Sequence, residues 1–197
     1  MKILAFTDLH EDYEFAEELK KKADKVDLII CAGDITVFGD NIEDAFNFLD
    51  SLGKKVLIVH GNHECGETMH KFCHKSKNVI FVHKTYVEIG DLVVFGYGGG
   101  GFAEEERGFL SVEHMFAKLI MQKKHSILLT HAPPYMTKLD QMNKDYHVGV
   151  KTFRRFIEKT QPSMAISGHI HETFKKIDKI GKTVIVNPGP GGAIIQL

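Results

Sequence analysis

The chain has 197 residues, 43% hydrophobic and 26% charged, with a formal net charge of −1. That is enough apolar material for one domain with a sizeable core, and the near-neutral balance lacks the basic surplus that marks an obligate nucleic-acid binder. No apolar run approaches the roughly 18 residues of a membrane span, and the apolar start at residues 3–6 is too short for a secretory leader, so a cytoplasmic setting is expected. Residues 3–6 read as a first, buried strand. Residues 13–22 have helical spacing, with Phe15 and Leu19 on one side and acids ahead of lysines. Residues 28–32 are a bounded apolar run, as expected of a strand in a parallel sheet. Gly33 and Asp34 then fall at the carboxyl edge, where open α/β sheets place ligands. Ile42, Ala45, Phe46 and Leu49 give residues 41–52 a helical period that Gly53 closes. A strand at 56–59, a helix at 67–75 and a strand at 79–82 follow.

The rhythm then changes. Residues 86–89 and 92–95 flank Gly90 and Asp91, a hairpin signal. Residues 96–101 are glycine-rich. Ser111 is predicted to cap a helix reaching Lys123, and 127–130 form a buried strand. Residues 131–148 read as a long polar loop and 151–160 as a helix ended by Pro162. Short strands are predicted at 165–167, 173–177, 183–187 and 193–197, with a turn at Gly181. Asn187-Pro188-Gly189 is a bend that no central strand could contain. The reading is one α/β domain over residues 1–197, with two sheets face to face and helices outside.

Five clusters follow predicted strands: Asp8-Leu9-His10, Gly33-Asp34, Gly61-Asn62-His63-Glu64, Thr130-His131-Ala132-Pro133 and Gly168-His169-Ile170-His171. If those strands are neighbours, the polar groups converge. A mixed oxygen and imidazole set suits Mn, Fe or Zn rather than Ca or a thiolate site. Asp8 and His10 are two apart, as are His169 and His171, so in an extended segment each pair faces one side. Asp8, His10, Asp34, Asn62, His131, His169 and His171 make seven candidate ligands. One tetrahedral zinc needs about four. Seven suit two ions that share a carboxylate and, roughly 3.5–4 Å apart, clamp an in-line displacement at phosphorus.

The motif order DxH, GD, GNHE, H and GHxH, from Asp8 to His171, resembles the calcineurin-like metallophosphoesterase superfamily, and the bend at Asn187 is similar to one found there. The resemblance implies a four-layer α/β/β/α sandwich, two mixed sheets flanked by helices. It implies that Asp8, His10, Asp34 and His171 hold one divalent metal ion. Asp34, Asn62, His131 and His169 would hold the second, with Asp34 as the bridge. Mn is the first expectation, with Fe, Zn or Ni as alternatives. His63 would stay off the metals and protonate the leaving group of a small phosphodiester or phosphomonoester, the diester favoured, attacked in line by a metal-bridging hydroxide. Val37, Phe38 and His60 stand where protein phosphatases of the superfamily carry Asp and Arg, which argues against a protein phosphatase and leaves Asp40 or Glu64 to orient His63. The alternatives on the same fold are a non-catalytic protein-interaction scaffold and a nuclease. The expected partner is a small phosphoester, with no obligate nucleic acid and no membrane, for a monomer or homodimer.

Other features carry plainer expectations. The run Gly96 to Gly101 spells GxGxxG but lacks the helix and acid of a dinucleotide site, and is expected as a mobile loop near the site or a surface turn. His70 and His74 read as a solvated helix face. His60 either touches substrate or is satisfied by backbone. The three cysteines, Cys31, Cys65 and Cys73, form no CxxC and fit reduced thiols, with Cys31 in the core and Cys65 a small buried residue. Arg107, Arg154 and Arg155 are available phosphate clamps, though each fits a plain surface residue at least as well. The loop at 131–148, with Tyr135, Lys138 and Tyr146, is the expected wall of the cleft.

Overall fold

In the computed structural model, which describes residues 1–143 and 146–197, the first half of the chain alternates strand and helix. Strands β1 (Lys2–Phe6), β2 (Leu28–Cys31), β3 (Val56–Ile58) and β4 (Val79–Phe81) alternate with helices α1 (Ala16–Ala23), α2 (Ile42–Ser51) and α3 (Gly66–Lys75). The second half begins with the hairpin β5 (Thr85–Ile89) and β6 (Leu92–Tyr97). It continues through α4 (Glu113–Ile120), β7 (His125–Thr130), β8 (Gln141–Asn143), β9 (Tyr146–His147) and α5 (Lys151–Thr160). Strands β10 (Met164–Ile166), β11 (Ile177–Ile180), β12 (Thr183–Val186) and β13 (Ala193–Gln196) complete it.

One sheet has the order β13-β1-β2-β3-β4 and the other β11-β12-β10-β7-β6-β5. In the first sheet β1 to β4 are mutually parallel and β13 is antiparallel to β1. In the second, β6, β7, β10 and β12 are parallel, with β5 and β11 antiparallel at the edges. The layers follow from the two-residue period of a strand. Ile3, Ala5, Leu28 and Ile30 point between the sheets, where they meet Val94, Ile127, Leu129 and Ile166. Their neighbours Leu4, Phe6, Ile29 and Cys31 point the other way, under α1, α2 and α3. Leu128 and Ala165 do the same beneath Phe116 of α4 and Phe153, Phe156 and Ile157 of α5. Strands covered on both faces need continuous apolar runs, and fully burying a side chain of that size is worth roughly 1.5–3 kcal/mol. The result is a four-layer α/β/β/α sandwich.

Several local expectations are corrected. Residues 13–15 are a 3-10 turn ahead of α1. Ser111 caps no helix: its hydroxyl donates to the Gly108 carbonyl at 2.7 Å, closing the 3-10 turn Arg107–Ser111, and Val112 occupies the cap position of α4. That helix ends at Ile120, three residues short of Lys123. The strand expected at 173–177 begins only at Ile177, because 171–173 is a 3-10 turn. Its Thr173 hydroxyl is buried 2.7 Å from the Ile170 carbonyl and accepts from Asn187 Nδ2 at 2.9 Å. The polar loop at 131–148 contains a small hairpin, with Gln141 opposite His147 and Asn143 opposite Tyr146. Residues 144 and 145 of that loop lie outside the described residues. Among the described residues no helix is long and apolar enough to cross a membrane.

Candidate metal centre

The loops after β1, β2, β3, β7 and β10 meet at one edge of the sandwich, and backbone bonds stitch them together. The Asp8 N–H donates to the Gly33 carbonyl at 3.0 Å and the Gly168 N–H to the His131 carbonyl at 2.9 Å. From the second sheet, His131 Nδ1 bonds the Ala32 carbonyl of the first at 2.8 Å. A carbonyl only accepts, so Nδ1 carries hydrogen and Nε2 is the nitrogen left to offer a lone pair. That Nε2 lies 3.2 Å from Asp34 Oδ2 and 3.0 Å from Asn62 Oδ1. His10 is turned the same way: Nδ1 faces the Thr36 carbonyl at 3.2 Å, and Nε2 sits 3.3 Å from His171 Nε2, 3.8 Å from Asp34 Oδ2 and 3.9 Å from Asp8 Oδ1. His171 Nε2 is 3.5 Å from Asp8 Oδ1.

Among the described residues three groups of donor atoms result, each within 4.8 Å: Asp8, His10 and His171; Asp34, His131 and His169; His10, Asp34 and His63. Asp34 belongs to two of them. All seven expected ligand side chains and His63 therefore reach the same place, most of them around a cleft of about 280 Å³. The donors fit divalent cations on a further ground. His169 Nε2 is buried with no hydrogen-bond partner among the described residues. An imidazole lone pair shut away from water without a partner costs free energy unless a cation meets it.

The two-apart spacing does not act through an extended backbone. Asp8 has φ 53°, His10 φ 46°, Asp34 φ 52° and His169 φ 70°. Left-handed geometry costs a non-glycine residue about 1 kcal/mol or more, so four of the seven side chains are aimed by strained turns. Each turn is held at its N–H. His10 donates to the Asp34 carbonyl at 3.1 Å, and His169 to the Asp8 carboxylate at 3.0 and 3.1 Å. Asp34 donates to Glu64 Oε2 at 3.0 Å.

Glu64 does more than that. Its buried carboxylate also accepts the N–H of Gly61 at 2.9 Å, the N–H of Thr36 at 3.0 Å and the Thr36 hydroxyl at 3.0 Å. It locks the β2 and β3 loops together and makes no bond to His63, while Asp40 is exposed. The group that orients His63 is Phe38: its N–H donates to His63 Nδ1 at 3.2 Å, and its ring stacks on the imidazole at 4.3 Å. A backbone N–H gives no sequence signal, so this partner was not legible beforehand. Gly61 is required by close approach, since a Cβ there would overlap Asp34 Oδ1.

Electrostatics reinforce the geometry. Burial works to raise the Asp34 pKa, but His131 and the His63 N–H outweigh it and hold the carboxyl at about 2. Burial works against a charged His131, yet Asp34 pushes its pKa up. His169 is lowered to about 4, first by burial and then by the charge of His131. The centre therefore keeps Asp34 anionic and His169 neutral, the forms that bind cations, while His131 holds a proton at Nε2 that a bound cation would displace.

Other expected residues stand aside. Arg154 bonds Glu158 at 2.6 Å and the Met136 carbonyl at 3.0 Å, and Arg155 bonds Glu105 at 2.7 and 2.9 Å. No arginine lines the cleft among the described residues. His70 and His74 are exposed on α3, their rings 4.5 Å apart. His60 is satisfied by the Gly61 carbonyl at 2.9 Å. Gly98 and Gly99 pack directly on it, and a Cβ at Gly98 would come within 2.5 Å of the His60 carbonyl. The glycine run is thus a packed root that delivers Phe102 to the cleft, 4.6 Å from the His169 ring. Cys65 is exposed at the start of α3, not buried, whereas Cys31 is buried as expected. Tyr135 and Tyr146 of the 131–148 segment line an adjoining hollow. The base of that segment is Asp140, fully buried, which accepts from the N–H of Met136, Thr137 and Gly149 at 3.0, 2.7 and 3.0 Å and pairs with His147 at 2.8 Å.

Comparison with known proteins agrees with this architecture. A sequence model described as calcineurin-like phosphoesterase matches residues 1–173. The uncharacterized protein MJ1162 of Methanocaldococcus jannaschii is 32% identical, over 96% of this chain and 88% of that one. The crystal structure of TT1561 of Thermus thermophilus superposes with a TM-score of 0.74 at 20% identity, covering 96% and 89% of the two chains. A dimetal phosphatase from Danio rerio superposes with a TM-score of 0.65 at 9% identity, covering 94% and 86%.

Proposed function

The chain belongs to the calcineurin-like phosphoesterase family, and on that premise we propose that it hydrolyses a small phosphodiester, or less readily a phosphomonoester, with two divalent cations seated at this centre. The observation that carries the reading is Asp34, anionic, its Oδ2 3.8 Å from His10 Nε2 of one proposed site and 3.2 Å from His131 Nε2 of the other, beside the partnerless Nε2 of His169. Asp8, His10, Asp34 and His171 would hold one cation. Asp34, Asn62, His131 and His169 would hold the other. When bound, such a pair activates water at neutral pH and offsets charge on the phosphoryl oxygens. The fold shared with a dimetal phosphatase supports the choice of a pair.

The chain's own groups do the rest. The Phe38 N–H occupies His63 Nδ1, so the hydrogen of His63 sits on Nε2, available to a departing oxygen. Stacking on Phe38 keeps the ring at the cleft. Protonating a poor leaving group in this way is worth about 10²–10⁴ in rate.

The test is hydrolysis of bis-p-nitrophenyl phosphate and p-nitrophenyl phosphate by chelated protein, with and without added Mn²⁺. Turnover should return with the metal, faster for the diester; no metal-dependent turnover of either would overturn the reading. His63→Ala should keep its metal content and lose rate chiefly on alkyl esters. Metal loss in that variant would remove His63 from the proton-donor role.

A further inference from the structure

A second hollow of about 380 Å³ adjoins the metal cleft, and the two share Phe102 and Met142 as a common wall. The far side is formed by Tyr135 and Tyr146 with His147 and Lys151. Three of these side chains stand unusually far into solvent for their type: Phe102 is 63% exposed, Tyr146 58% and Met142 39%. They come from two separate segments, yet gather around one opening. Apolar groups clustered this way at a concave mouth mark a ligand surface.

The charges show what the ligand is not. Lys151 Nζ donates to Glu104 at 2.5 Å and lies 5.3 Å above the Tyr135 ring, while His147 is paired with buried Asp140. Among the described residues Lys151 is spoken for and His147 is tied to Asp140, so these side chains offer nothing special to a phosphate. The hollow offers ring faces, a thioether and phenol hydroxyls. Such a lining suits a flat aromatic group with polar edges, through stacking and sulfur–ring contacts.

Resting on the phosphoesterase reading of the adjoining cleft, we propose that this hollow receives a planar aromatic ring carried by the substrate, which makes the protein selective for ring-bearing phosphoesters over their ring-free counterparts. Phe102 and Met142 are then specificity-determining residues, each touching both compartments.

Two matched pairs test this with Mn²⁺-loaded protein. Adenosine 5′-monophosphate against ribose 5-phosphate keeps the scissile ester and removes the ring. The methyl phosphodiester of adenosine 5′-monophosphate against the methyl phosphodiester of ribose 5-phosphate does so for a diester. In at least one pair the ring-bearing member should have kcat/KM about tenfold higher or more, and in Phe102→Ala and Tyr146→Ala that ratio should fall toward one. General damage would lower both members and leave the ratio intact, which would overturn the proposal, as would equal kcat/KM in the unaltered protein. A readout that needs no turnover separates the two readings: with diamagnetic Zn²⁺ in place of Mn²⁺, the ¹³C methyl resonance of Met142 should shift with adenosine 5′-monophosphate and stay put with ribose 5-phosphate. Hydrolysis without discrimination sinks the hollow and spares the phosphoesterase; a ring-specific shift without any hydrolysis does the reverse.

Discussion

Asp34 and Phe102 face the same cleft, yet Asp34 is 2% exposed and Phe102 63%. Around Asp34 the backbone is over-determined. Its φ of 52° is strained, and its N–H, the neighbouring Thr36 N–H and the Gly61 N–H all end on one buried carboxylate, that of Glu64. Around Phe102 the side chains are exposed to water, and the order lies underneath, in glycines packed on His60 and in the Asp140 base. Chemistry that needs donor atoms placed to a fraction of an ångström sits on a floor braced by buried polar bonds. Contacts that only need to present surface sit on a wall whose residues have little structural duty.

The contrast breaks or sharpens under four substitutions. Asp34→Asn removes the proposed bridge, so both metals should leave together and metal-dependent hydrolysis should drop roughly a thousandfold or more. Elemental analysis that found one ion retained at full occupancy would show Asp34 serving a single site. Glu64→Ala strips the acceptor from three buried or partly buried N–H groups and should cost about 3 kcal/mol in urea unfolding. A loss below about 1 kcal/mol would mean the floor is braced elsewhere.

The root of the wall gives a smaller effect with a pH signature. His83 accepts the Gly98 N–H at 3.0 Å, and burial, then the His60 and Lys84 charges, lower its pKa to about 4. The folded state thus resists protonating it. Its contribution is whole above the unfolded value near 6.5 and is lost as pH falls from there toward about 4. With solvent screening that loss is about 1 kcal/mol, and His83→Asn should flatten the thermal-midpoint profile across that window. Tyr146→Ala, on the wall itself, should change stability by less than about 0.5 kcal/mol. A cost equal to that of Glu64→Ala would erase the distinction between floor and wall.

What was legible in the chain follows the same division. Strands β1, β2, β3, β7 and β10 announce themselves because burial on both faces demands continuous apolar runs. The chemistry at their ends is readable because few other roles put Asp, Asn and His there together. The aim of those side chains was not readable. Asp8 and His10 converge through left-handed turns held by bonds to Gly33 and Asp34, residues more than twenty positions away. The role of Glu64 and the Phe38 partner of His63 rest likewise on backbone N–H groups that every residue but proline possesses. The 141–147 hairpin escaped because short polar strands show no alternation to detect, and Ser111 misled because its hydroxyl turned back to Gly108.

The Asp140 carboxylate takes the N–H of Thr137 on one side of that hairpin and the N–H of Gly149 on the other. Entry and exit are therefore clasped at one point, and what lies between is a cassette. An engineer can exchange it while the clasp holds its two ends in place. New ligand preferences on this scaffold should be found by grafting loops between positions 141 and 147, with the braced floor inherited intact.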